Sequence, residues 1–184
     1  DLYCYEWDND GEAVVLLHGG LSQTAHWASQ IVPDLEDYHV FAYDRSSHGF
    51  TSYRQESINF NYQVREAIAY LETVVKEPAH IVGWSDGGII GLMVAIARPD
   101  LVKSLVAIGA NYHYDCGLNL QTFNGQVDEM EKDKFAKQSG QPRELLVEIT
   151  AKAHKVWASE PKMSKTQLKK IKCSTLILAG DDEP

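Results

Sequence analysis

The first half of the chain alternates short apolar runs with longer stretches of helical period. The runs Leu2–Trp7, Ala13–Leu17, His39–Tyr43, Ala79–Trp84 and Ser104–Gly109 have the length of strands, and Ala13-Val14-Val15-Leu16-Leu17 contains no polar residue. A strand with one wet face alternates apolar and polar positions. An unbroken apolar run predicts a strand covered on both faces, as in a parallel sheet. Between these runs, Ile58–Glu77 sets Val64, Ala67, Ile68, Leu71 and Val75 along one face and stops at Pro78, the pattern of an amphipathic helix. Gly87–Ala97 predicts a second helix, ending before Pro99, and Gln23–Leu35 a shorter third. Strand and helix in regular alternation predict an open α/β, doubly wound sheet.

The rhythm changes after Gly109. Residues 111–172 hold no strand pattern, whereas Gln121–Phe135, Arg143–Trp157 and Ser164–Ile171 have helical period. The strand pattern returns at Thr175-Leu176-Ile177-Leu178-Ala179. The predicted organisation is therefore a core over 1–110, a helical insertion over 111–172 and a resumed core over 173–184. An insertion of that length between two strands of one sheet commonly covers a site.

Composition narrows the function. Hydrophobic residues make up 44% and the formal net charge is -9, so a polyanionic partner, nucleic acid or an anionic membrane, is not expected. The lysines from Lys162 to Lys172 alternate with apolar residues and read as a solvated helix face. Three widely spaced cysteines, Cys4, Cys116 and Cys173, form no CxxC pair. They predict neither a disulfide framework nor a zinc site and point to a reducing, cytoplasmic setting. No apolar run has the length of a membrane span and no signal peptide is visible.

The strongest chemical motif is Gly83-Trp84-Ser85-Asp86-Gly87, with strand pattern before it and helix pattern after it. A G-x-S-x-G alone arises by chance in roughly 6% of chains this long; the flanking strand and helix set this one apart. A serine on a tight strand-to-helix turn needs small neighbours two residues to either side, and the turn lifts its hydroxyl above the sheet. The first N–H groups of the following helix then face any oxyanion formed there. Ser85 is the candidate nucleophile and the N–H of Asp86 a candidate oxyanion donor. The second donor is sought in His18-Gly19-Gly20-Leu21, which follows the apolar strand Ala13–Leu17; Gly20 is the candidate, and His18 reads as a structural residue beneath the loop.

His-Gly-Gly after one strand, Tyr43-Asp44-Arg45-Ser46-Ser47-His48-Gly49 after the next, then Gly-Trp-Ser-Asp-Gly-Gly: in this order the chain resembles the α/β-hydrolase superfamily, and in its detailed form the valacyclovir-hydrolase-like serine esterases. The resemblance implies a mostly parallel sheet with a helical cap, and a serine, acid and histidine triad in that chain order. It also implies a small carboxylic ester or related acyl compound as substrate, with no metal or organic cofactor. Asp44, Arg45 and His48 are expected to be architectural, and Ser47 departs from the family pattern, which has glycine there. The acid falls by spacing on Glu183, three residues beyond Gly180, with Asp182 as the alternative. The family's histidine follows the acid, and none of the seven histidines here does. The expectation is a fragment lacking its first and last strands and its general base, and therefore inactive by itself.

In the esterases it resembles, the residue matching Asp86 is linked to recognition of a substrate amino group. The bland alternative is that Asp86 merely favours the helix start. Trp27, Trp84, Tyr112, Phe123 and Trp157 are candidates to line an apolar pocket under the cap, with Trp27, Trp84 and Asp86 as substrate-binding residues. Competing functions on the same fold are a non-catalytic small-molecule receptor or interaction protein and a cofactor-free perhydrolase.

Overall fold

The computed structural model describes residues 1–116 and 124–180. Six strands form one sheet: β1 (Tyr3–Trp7), β2 (Ala13–Leu17), β3 (His39–Asp44), β4 (Ala79–Trp84), β5 (Val102–Ile108) and β6 (Ser174–Leu178). Their order is β1-β3-β2-β4-β5-β6. β1 lies antiparallel on β3 and every other pairing is parallel. The fold class is thus the α/β sheet expected from the pattern.

The topology fixes where a site can form. From β2 the chain moves to β3 on one side, then crosses back to place β4 on the other. The carboxyl ends of β2 and β4 therefore diverge from a switch point, where connecting loops leave a crevice. Leu17 and Gly83 are paired across that junction, so the loop His18–Leu21 and the turn at Ser85 leave the sheet side by side.

Helices α2 (Phe60–Tyr70) and α3 (Asp86–Ala97) cover one face of the sheet. α2 begins where the Asn59 side chain accepts from Tyr62 N, and its last turn widens over Leu71–Val75 before Lys76 closes it in left-handed conformation. α3 is apolar on every side, with Ile89, Ile90, Leu92, Val94 and Ala95 all buried. With Phe60, Val64 and Tyr70 of α2 they pack on Val15, Leu17, Phe41, Ile81 and Leu105. Each such side chain removed from water contributes about 1.5–3 kcal/mol. On the opposite face Trp27 of α1 (Ala25–Ala28) lies on Val14, Leu16, Val40 and Ala42, with Ile31, Val32 and Leu35 packed beside it. Farther along that face Trp84 and Leu176 remain 45% and 53% exposed.

Residues between β5 and β6 supply α4 (Glu129–Ser139), α5 (Leu145–Trp157) and α6 (Lys165–Leu168). α5 buries Ile149, Ala153 and Val156; Leu145, which the helical period places on the same stripe, is half-buried. Three expected helices differ. The one placed at Gln121–Phe135 starts at Glu129, because the Asp128 carboxylate caps Met130 N, and runs on to a left-handed Gly140; positions 121–123 lie outside the described residues. Gln23–Leu35 breaks into α1 and a short 3₁₀ turn over Val32–Leu35, since Pro33 has no N–H to donate and disfavours helical geometry at Val32. Ser164–Ile171 shortens to α6, capped by reciprocal Ser164 and Gln167 bonds.

The insertion is tied to the segment after β3 by polar contacts. Lys152 Nζ of α5 donates to the carbonyls of Arg54 and Gln55, each at 2.7 Å, and to Tyr53 Oη at 2.8 Å. Gln141 Nε2 donates to the carbonyls of Gly49 and Thr51. Glu160 accepts from Phe60 N at 2.9 Å.

Candidate active site

Ser85 sits between β4 and α3 with φ 52° and ψ −120°, a conformation that non-glycine residues adopt only when their surroundings force it. The forcing is visible. Ser85 N donates to Ile108 O of the neighbouring strand at 2.8 Å, and Ser85 O accepts from Ile89 N in the first turn of α3. A Cβ on Gly83 would lie 2.3 Å from Gly87 O, and one on Gly87 would lie 2.0 Å from Leu17 O. Both positions are closed to any side chain, as the motif requires. The Ser85 side chain is half-buried.

The loop after β2 is held from below. His18 is buried; its Nδ1 lies 2.8 Å from Gly19 O, and its Nε2 accepts from Arg45 N at 3.1 Å. Arg45 is fully buried. Its Nη2 donates to Gly19 O at 2.6 Å, and its Nη1 bonds Gln63 Oε1 and lies 3.9 Å from Asp86 Oδ2. His48 Nε2 accepts from Leu21 N at 3.2 Å, while its Nδ1 faces Ser46 O at 3.0 Å. Asp44 accepts from Thr24 N, Phe50 N and Tyr5 Oη. The Asp44, Arg45 and His48 side chains are thus each occupied with loop backbone or with neighbouring side chains. Ser47 stands at φ 68°, a left-handed position that glycine fills without strain. Its hydroxyl accepts from Arg54 N.

Burial sets the charges. Desolvation, with Arg45 nearby, holds His18 well below the usual imidazole range and pushes His48 down to about 3, so both rings are neutral. Desolvation raises Asp86 as well, opposed by Arg45 and by a hydrogen bond from Trp157. That bond, Trp157 Nε1 to Asp86 Oδ1 at 2.9 Å, joins the last residue of α5 to the first residue of α3.

Two clefts flank the loop after β2. One, of about 420 Å³, lies between that loop and the insertion and is lined in part by Leu21, Ser22, His48, Phe135, Ile149 and His154. The other, of about 460 Å³, is lined in part by Ser22, His26, Trp27, Ile31, Trp84 and Ile108. Trp27 and Trp84 therefore share a cleft with each other but not with the insertion, and Trp157 stands instead against Gly20 and Asp86. Tyr112 is 37% exposed. Ser22 Oγ and His26 Nδ1 are 2.7 Å apart. Glu183, Asp182 and Phe123 lie outside the described residues. Among the described residues, Ser85 Oγ has no hydrogen bond to any histidine; His18, His26, His39, His48, His80 and His113 are engaged elsewhere. The one cluster of metal-ligand type among the described residues, Glu6, Asp8 and His39, is largely exposed and lies at the amino end of β3, away from Ser85.

Sequence reading missed the Arg45–Asp86–Trp157 group. Arg45 carried the only available signal: an arginine directly after a buried strand must find acceptors within the fold.

A sharp serine turn at the switch point of a mostly parallel sheet, beside a glycine loop and beneath a helical insertion, defines a hydrolase scaffold. The chain belongs to the alpha/beta hydrolase fold family, whose pattern matches residues 12–169. It is 26% identical over 200 residues to (E)-2-((N-methylformamido)methylene)succinate hydrolase of Acinetobacter baylyi, covering 98% of this chain and 76% of that protein. It is 29% identical over 155 residues to Karrikin insensitive 2 receptor CA of Petunia hybrida, covering 80% of this chain and 51% of the receptor. Its fold superposes on a structure from a study of carboxylesterases of Nitrososphaera gargenis with a TM-score of 0.74 at 17% identity, over 99% of this chain and 77% of that one. No helix among the described residues is long and apolar enough to cross a membrane.

Proposed function

We propose that the protein is a serine hydrolase that cleaves a small carboxylic ester, or a related acyl compound, through an acyl-enzyme on Ser85. The observation that carries this reading is the Ser85 turn, with φ 52° and glycines that admit no Cβ on either side. Backbone strain of that kind persists where a fold over-determines it, and such positions cluster at catalytic sites. In the reaction, Ser85 Oγ attacks the acyl carbon and the N–H groups of Gly20 and Asp86 receive the negative oxygen. The ester C–O bond then breaks and the alcohol leaves with the proton taken from Ser85; water attacks the acyl-enzyme, releases the acid and returns a proton to Ser85 Oγ. The proton passes to a histidine oriented by Glu183, or by Asp182 if the shorter carboxylate is the one in reach.

The experiment is a rapid-mixing measurement with p-nitrophenyl butyrate on the protein. A burst of nitrophenolate close to one equivalent, with butyryl-protein detected by mass spectrometry, is expected, and Ser85→Ala abolishes both. The Petunia relative makes a receptor the second reading. Tight binding of a small molecule with no burst favours it. The perhydrolase alternative shares the acyl-enzyme and separates only when hydrogen peroxide replaces water as the acceptor.

A further inference from the structure

We infer that Asp86 is a positioning residue: its carboxylate ties the insertion to both proposed oxyanion donors and is closed to a substrate ammonium. The inference rests on the serine-hydrolase reading and departs from the amino-recognition role that the family resemblance suggested.

One carboxylate oxygen is hydrogen-bonded and the other faces a buried cation. Oδ1 accepts from Trp157 Nε1 at 2.9 Å and Oδ2 faces Arg45 Nη1 at 3.9 Å. The residue is only 6% exposed. An ammonium reaching it would have to displace the indole and stand beside a guanidinium of like charge, which costs more than an exposed carboxylate elsewhere.

The same contacts aim the donors. Gly19 O and Gly20 N–H belong to one peptide unit, which is planar and trans, so a group that fixes the carbonyl fixes the direction of the N–H. Arg45 Nη2 holds that carbonyl at 2.6 Å. Asp86 is the counter-charge beside Arg45 and also supplies the second N–H from its own backbone. A Cβ on Gly20 would lie 2.4 Å from the Trp157 ring and 2.7 Å from Asp86 Oδ2, so Gly20, Trp157 and Asp86 are in mutual contact. Moving α5 by about one ångström would break the indole bond and open the space that keeps Gly20 in place. The position of the insertion is thereby transmitted to the donors.

The test compares Trp157→Phe, which keeps the ring and removes the N–H, with Asp86→Asn, which keeps the shape and removes the charge. Hydrolysis of p-nitrophenyl butyrate and of a valyl p-nitrophenyl ester is measured for each, with the indole N–H exchange rate of Trp157 read by NMR. Misaiming one donor is expected to lower kcat by about tenfold for both esters, a fraction of the loss from deleting it. KM and the preference between the esters stay within about twofold. Asp86→Asn also speeds indole exchange by about tenfold, because a neutral amide accepts more weakly than a carboxylate. If Asp86→Asn raises KM for the valyl ester alone, Asp86 is a receptor for the amine and the inference fails. It fails equally if Trp157→Phe leaves kcat unchanged. If the native protein hydrolyses neither ester, the serine-hydrolase reading is what falls; the link between Trp157 and Asp86 then stands or falls on the exchange rate. An Asp86→Asn protein that does not fold leaves the decision to Trp157→Phe.

Discussion

The turn at Ser85 and the helical insertion converge on Asp86, but they are made of different materials. Around Ser85 the geometry is steric and belongs to the backbone. Gly83 and Gly87 are closed to side chains by carbonyl oxygens at 2.3 and 2.0 Å, and those carbonyls are fixed by the sheet and by α3. The insertion is held by side-chain bonds, such as those of Lys152 to the loop after β3 and of Trp157 to Asp86. A wall of backbone yields to nothing short of unfolding, whereas bonds from flexible side chains break singly. The difference lies in what would have to give way: backbone packing at the nucleophile's turn, and individual side-chain bonds, beside the buried Ile149 and Val156, at the insertion.

Gly87→Ala tests the rigid side and is expected to have the largest effect. The methyl must displace Leu17 O in the central strand, so a loss of more than about 4 kcal/mol, or no folded protein, is expected; urea unfolding measures it. A loss of about 1 kcal/mol or less would show that the turn relaxes after all.

Acid is next. His48 is held near pKa 3 when folded and titrates near 6.5 when unfolded, so the unfolded chain takes up the proton first. Stability therefore falls as pH drops below about 6.5, by about 2 kcal/mol at pH 5 for this one residue. His18 acts in the same direction. Asp86, whose pKa is raised, acts oppositely, because its native form gains the proton more readily as pH falls. Denaturant titrations at pH 7 and pH 5 should show the loss, and His48→Gln should remove the share that belongs to His48. An unchanged midpoint at pH 5 would mean that these rings are solvated.

Lys152→Met tests the compliant side, and the expected loss is the smallest, about 1–2 kcal/mol. Hydrogen exchange should rise in α5 while β2, β4 and α3 remain protected. Equal loosening of α3 and α5 would erase the distinction between the two regions.

The same contrast explains what could be read from the sequence. Each strand was legible to within a residue or two, because Ala13–Leu17 and Ala79–Trp84 carry their burial in their own residues. The Ser85 turn was legible because steric exclusion writes glycine at fixed spacing. The start of α4 was not, since it depends on Asp128 reaching Met130 N rather than on period. Nor was the widened turn at Leu71–Val75, which no residue type announces. The partners of Asp86 lie 41 residues before it and 71 after it in the chain. Only the tertiary fold brings Arg45 and Trp157 to it, so a spacing rule had no access to the group. Trp157 was recognised as an aromatic of the insertion, but its N–H was the part that mattered.

The central claim is that the fold presents Ser85 as a nucleophile. Treating the protein with a fluorophosphonate and mapping the adduct by peptide mass spectrometry tests it most directly. One adduct is expected, on the peptide carrying Ser85, and none in Ser85→Ala. An adduct on Ser22, whose hydroxyl lies 2.7 Å from His26 Nδ1, or labelling that survives Ser85→Ala, would contradict it.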